Sequence, residues 1–166
     1  GNSITLTLFG ESHGPEIGAV IDGLCPGIAI DEKFINHQLD LRRPYGKIST
    51  QRVEKDNFKI VSGVFKNKTT GAPLTILIPN ENIKSGDYTE LRNIPRPSHA
   101  DYAAFKKYNG FEDYRGGGHF SGRLTAPIVA ASAILLTALK SKGIKIATHI
   151  KSCGDISDRD FEDPKA

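Results

Sequence analysis

The order of apolar and polar positions divides the chain into short, distinct elements. Ile4–Phe9 alternates Ile, Leu and Phe with threonine at period two, the pattern of a half-buried strand. Gly10–Gly14 reads as a turn. Ile17–Ile21 reads as a second strand, ended by Asp22-Gly23 and the Pro26-Gly27 loop. Asp31 is placed to cap a helix through Phe34, Ile35, Leu39 and Arg42, with Pro44 stopping it. Phe58–Phe65 and Leu74–Ile78 are strand-like runs joined by the polar loop Lys66–Gly71, the layout of an antiparallel hairpin. After a loop over 81–98, Ala100–Tyr108 reads as a short helix and Thr125–Lys142 as a long apolar one, closed by Gly143. Ile144–Ile150 returns as a strand, and the acidic tail after Cys153 lacks a closing element. Hairpins mixed with helices predict an α+β fold rather than a regularly alternating parallel sheet.

Composition narrows the class. The 166 residues are 38% hydrophobic and 25% charged, enough for one domain with a core and too apolar for disorder. The longest apolar run, Ala126–Leu139, is short for a bilayer and interrupted by Ser132 and Thr137. Cys25 and Cys153 form neither a metal motif nor a disulfide framework, and no charged-then-apolar leader opens the chain. A reduced, cytoplasmic protein with no metal and no membrane partner is the expectation. The net charge of +3 is uneven: eight basic residues lie between Arg42 and Lys68 against Glu54 and Asp56, while Asp155–Ala166 carries five acids and two bases. One part of the surface is therefore expected to meet an anion.

Four segments could carry chemistry. In Gly10-Glu11-Ser12-His13-Gly14, glycines at both ends leave Ser12 and His13 accessible, and a histidine exchanges protons near neutral pH. The segment also fits the G-x-S-x-G elbow of a serine hydrolase using Ser12. However, an elbow needs a following helix, and here the strand-like Ile17–Ile21 follows. In Arg96-Pro97-Ser98-His99-Ala100-Asp101-Tyr102, His99 falls where a helix begins, so the dipole favours a neutral imidazole able to relay a proton. Arg115-Gly116-Gly117-Gly118-His119-Phe120-Ser121-Gly122-Arg123 stands at the entrance to the long helix. Its glycines let backbone N–H groups approach an anion, with Arg115, Ser121 and Arg123 as further donors. Arg42-Arg43-Pro44 with Lys47 and Arg52 is basic but has only Tyr45 for stacking, which fits a small multiply charged anion better than nucleic acid.

Taken together these segments resemble the chorismate synthase family. The resemblance rests on Gly-Glu-Ser-His-Gly at 10–14 leading to Ile-Asp-Gly-Leu-Cys-Pro-Gly at 21–27, then Leu-Arg-Arg-Pro at 41–44. Ser-Gly-Val-Phe at 62–65 with Thr-Thr-Gly at 69–71, Arg-Pro-Ser-His-Ala-Asp-Tyr at 96–102 and Asp-Tyr-Arg-Gly-Gly-Gly at 113–118 follow in the family's order. It covers the N-terminal half of the family's chain. It implies a β-α-β sandwich, antiparallel sheets around a helical layer, with 1–166 the N-terminal part of one domain and 154–166 a linker or the start of the remaining half.

The implied reaction is anti-1,4-elimination of phosphate from 5-enolpyruvylshikimate 3-phosphate to give chorismate, with reduced FMN and in a homotetramer. His13 and His99 would be catalytic, the first protonating the leaving phosphate and the second lying against the flavin. Ser12, Arg42, Arg43, Lys47, Arg52, Ser121 and Arg123 would receive the substrate. His119, Phe120 and Ser121 fall where the family's flavin-contacting tripeptide lies, commonly Arg-Ser-Ser. Arg42 and Lys47 fall at its NADP positions, with NADP(H) needed only indirectly, to reduce the flavin. The next three residues, Gly122-Arg123-Leu124, replace the usual Ala-Arg-Glu. A fragment that binds flavin or phosphate without turnover is the alternative the length leaves open.

Overall fold

The structure, a computed structural model, describes residues 3–44, 55–81, 88, 92 and 94–160. Strands β1 (Thr5–Gly10) and β2 (Glu16–Asp22) precede helix α1 (Glu32–Leu41). Strands β3 (Lys59–Ser62), β4 (Val64–Phe65), β5 (Lys68–Thr69) and β6 (Leu74–Pro79) follow. Helices α2 (Asp101–Tyr108) and α3 (Thr125–Ser141) come next, then the short strands β7 (Ser152–Cys153) and β8 (Ile156–Ser157). The main sheet is antiparallel in the order β1-β2-β6-β3.

Period two decides which face of the sheet is buried. The register pairs Ile17 with Ile78, Ala19 with Ile76 and Ile21 with Leu74, and all six are excluded from solvent. Helices α1 and α3 lie on that face. The first contributes Ile35 and Leu39, and the second Ala126, Ala130, Ala131, Ala133 and Ile134. Small residues on α3 let its backbone approach the sheet and α1 closely, and each buried isoleucine contributes about 1.5–3 kcal/mol. The stretch Arg115–Ser141 is long and apolar enough by composition to cross a bilayer. It is kinked at Gly116–Gly118, and its buried residues pack on β2 and β6, as in a core helix. Helix α1 begins where its cap predicts: Phe34 N donates to Asp31 Oδ1 at 3.0 Å.

Three expectations change. The run 58–65 is not one strand: the chain turns at Gly63 (φ +82°), and only Lys59–Ser62 joins β6, with a bulge after Ile60. Val64–Phe65 pairs instead with Lys68–Thr69, because Lys66 and Asn67 both take positive φ and make a two-residue hairpin turn. Ile144–Ile150 forms no strand. Its alternation is present, but among the described residues no strand pairs with it, and Ile144, Ile146 and Ile150 stay exposed. The tail does contain a closing element, the small β7–β8 hairpin, in which Ser152 pairs with Ser157.

Candidate active site

The β1–β2 turn, the end of β6, the glycine run and the start of α2 meet at one end of the sheet. Gly14 N donates to Glu11 O at 3.0 Å, which closes the turn, and Ser12 N donates to Gly118 O at 3.0 Å. The glycine run thus lies over Ser12 and His13. Contrary to the sequence reading, neither side chain is open to solvent: Ser12 is 0% and His13 5% exposed. The ring of Tyr88 stands edge-on to His13, 5.0 Å between centroids.

Gly116, Gly117 and Gly118 all have positive φ, and the first two are shaped by the histidines. A Cβ on Gly116 would lie 2.5 Å from His13 Nδ1, and one on Gly117 would lie 2.6 Å from His99 Cε1. The two imidazoles therefore rest against consecutive glycines, a closeness that any side chain there would prevent. The run does not open α3 directly: it lies within a kinked 3-10 segment, Arg115–Phe120, and a second 3-10 turn, Gly122–Leu124, precedes α3. The helix-terminus contribution expected for it is accordingly displaced onto Thr125.

His99 is held by its own segment. Its Nδ1 lies 2.7 Å from Asp101 Oδ1. Arg96 grips the same carboxylate, with Nε on Oδ2 and Nη2 on Oδ1, both at 2.8 Å. These hydrogen bonds from Arg96 hold the Asp101 carboxyl well below the usual carboxylate range, against the opposing effect of burial. The Asp101 carboxylate therefore faces Nδ1 of His99, and the Cε1–Nε2 edge of the ring turns toward Gly117. Ser98 does not cap α2. It takes φ +60°, and the helix starts after Ala100 with no side-chain cap.

Among the described residues, Arg42, Arg43, Arg115 and Arg123, expected to meet an anion, have protein partners. Arg115 is paired with Asp113 through Nε and Nη2, both at 2.8 Å, and this pairing lowers the Asp113 pKa and raises that of Arg115. Arg123, 6% exposed, donates from Nε to Asn80 Oδ1 at 2.9 Å, from Nη2 to Pro79 O at 3.1 Å and from Nη1 to Asp56. Arg42 Nη1 reaches the other oxygen of Asp56 at 2.7 Å, and its Nη2 reaches Thr125 Oγ1 at 3.3 Å. Arg43 turns to Asp40, at 2.7 Å, and to the Lys55 carbonyl. Ser121 Oγ accepts from Arg123 N, His119 Nδ1 donates to Gly10 O at 2.9 Å, and the Phe120 ring lies 6.0 Å from that of Tyr108. Lys47 and Arg52 lie outside the described residues. Ser12 is buried in a turn that leads into β2, so no nucleophile elbow is present.

Three residues of the site carry no signal that sequence reasoning used. Asp101 is two positions from His99, and that short spacing could have marked it. Asp56 and Asn80 stand 67 and 43 residues from Arg123, so only the folded chain brings them together.

The family model described as chorismate synthase matches residues 4–165. The chain belongs to the chorismate synthase family. The chorismate synthase of Aeropyrum pernix is 47% identical over 159 residues, which cover 96% of this chain and 42% of that protein. That of Paraburkholderia phytofirmans is 49% identical over 158 residues, covering 94% and 43%. A crystal structure of a chorismate synthase superposes with a TM-score of 0.67 at 31% identity, covering 97% of this chain and 41% of the other. The α+β arrangement of antiparallel sheets and helices is thus that of a chorismate synthase, and the chain spans a little under half the length of these relatives.

Proposed function

We propose that this chain carries the acid–base part of a chorismate synthase site, converting 5-enolpyruvylshikimate 3-phosphate to chorismate by anti-1,4-elimination of phosphate. The observation that carries the reading is the seating of His13 and His99 on Gly116 and Gly117. Breaking a C–O bond to phosphate leaves charge on the departing oxygen, and a buried histidinium at His13 supplies a proton there without competing water. His99, oriented by Asp101 and Arg96, presents its Cε1–Nε2 edge at the next glycine, Gly117. Arg42, Arg43, Lys47, Arg52, Ser12, Ser121 and Arg123 would form the cationic surroundings, with Arg42 and Arg123 working as a pair bridged by Asp56.

Reduced FMN, when bound, supplies transient electron density as phosphate leaves. The aromatic lining of one recess fits the planar ring of such a group, while Asp101, Glu112 and Asp113 on the same lining leave its phosphate to be held elsewhere. A recess of about 320 Å³ opens beside Gly117, walled by Tyr102, Phe105, Tyr108, Tyr114 and Phe120 with Arg92 at its edge, and aromatic walls suit a planar ring. Phe120 lines this recess, whereas His119 lines a separate recess with Gly10 and Glu11. Reduction of the flavin through NADP(H) and assembly as a homotetramer belong to the same proposal.

The test is an anaerobic assay of the chain with dithionite-reduced FMN and 5-enolpyruvylshikimate 3-phosphate, following chorismate. Chorismate formation supports the reading. Its absence, with the Aeropyrum pernix relative active alongside, would reduce the chain to a binding fragment.

A further inference from the structure

One polar network ties the catalytic turn to the arginines. Asn80, 8% exposed at the end of β6, uses every polar atom of its amide. Its Nδ2 donates to Glu11 O at 3.0 Å and to Gly14 O at 2.8 Å, and its Oδ1 accepts from Arg123 Nε at 2.9 Å. Only this orientation of the amide satisfies all three partners, because the carbonyls cannot donate and the guanidinium cannot accept. Asp56 continues the path. Its side chain is fully buried, with one oxygen on Arg123 and the other on Arg42. The path runs from the Ser12–His13 turn through Asn80, Arg123 and Asp56 to Arg42 at the end of α1.

We propose that Asn80 and Asp56 are positioning residues: Asn80 locks the His13 turn to Arg123, and Asp56 locks Arg123 to Arg42. The role rests on the catalytic reading above. A buried ion pair adds little net stability over apolar packing, because desolvation offsets attraction. A fully satisfied buried network fixes orientation instead. Here three elements that share no local sequence are set in one frame: the β1–β2 turn, the end of β6 and the approach to α3. The bridging carboxylate also offsets part of the repulsion between the two guanidinium groups it holds.

Amide hydrogen exchange followed by NMR on this chain tests the coupling, comparing wild type with Asn80→Ala, Asp56→Asn and the double variant. Asn80→Ala speeds exchange of the Ser12 and Gly14 amides about tenfold or more relative to Ala130 and Ile134 of α3. Asp56→Asn, which touches neither Ser12 nor Gly14, speeds them about threefold or more, and the double variant goes no faster than Asn80→Ala. In the anaerobic assay kcat of Asn80→Ala falls about tenfold or more, with KM changed less than about threefold. Turn amides at the wild-type rate in either variant would overturn the proposal. So would equal acceleration of the turn and α3, which marks general loosening. Asn80→Ser and Asp56→Glu, which keep a polar partner, replace any variant that fails to fold, with the same directions expected. A wild-type chain without turnover would count against the catalytic reading alone, since the exchange rates still decide the coupling.

Discussion

Gly116→Ala is a one-methyl perturbation aimed at the contact that defines the site. The added Cβ would lie 2.5 Å from His13 Nδ1, while ordinary non-bonded contacts run near 3.5–4.0 Å, so the imidazole must move by about 1 Å. Alanine at φ +58° adds backbone strain of about 1–2 kcal/mol. For a chain of this size that lowers Tm by roughly 2–8 °C. A displacement of about 1 Å at a proton donor is worth about 100-fold in rate. Thermal unfolding and the anaerobic turnover assay should therefore separate: a modest fall in Tm and a fall in kcat of about 100-fold. Gly122→Ala is the control, because nothing lies within 4 Å of its would-be Cβ and its φ is not positive; both readouts should stay near wild type. A Gly116→Ala variant with wild-type Tm and kcat would refute the claim that His13 is seated on this glycine.

Other predictions follow from single contacts. Asp101 is ionised to unusually low pH by Arg96, so the unfolded chain binds more protons than the native one below about pH 4. Stability present above the unfolded pKa is lost as pH falls toward the native one, and Asp101→Asn should flatten that acid limb in Tm measured from about pH 2 to pH 6; unchanged slopes would contradict the pairing. Thr69 Oγ1 accepts from Ile28 N at 2.9 Å and donates to Cys25 O at 2.7 Å, so Thr69→Val should cost about 1–3 kcal/mol in urea unfolding. Ile76, at 0% exposure in the middle of the core face, should lose about 2–5 kcal/mol on replacement by alanine, read in the same unfolding experiment.

Local chemistry made much of the fold legible. Asp31 caps α1 as its side chain dictates, α3 spans the apolar run, and period two assigns β2 and β6 to the same buried face. Errors arose where a partner elsewhere decides the outcome. Ile144–Ile150 has the alternation of a strand, but a strand needs a neighbour, and the described residues supply none. The run 58–65 reads as continuous, yet the left-handed pair Lys66-Asn67 withdraws Val64–Phe65 into its own ladder. At the site, the two histidine motifs and the glycine run were visible as segments. Their meeting was not, since a glycine run signals freedom and does not name what approaches it. Charge is legible in sequence, so the arginines read as open to an anion; Asp56 pairs with Arg123 only through the fold, while Asp113, two residues from Arg115, was a partner within local reach.

The most direct test of the central claim is chorismate formation under anaerobic conditions with reduced FMN, comparing this chain with its His13→Ala and His99→Ala variants. If the two imidazoles do the acid–base work from their seats on Gly116 and Gly117, the wild-type chain turns over and each variant loses at least ~100-fold in kcat. Turnover within about threefold of wild type in either variant would contradict it, because acid–base help of the usual size would then come from elsewhere.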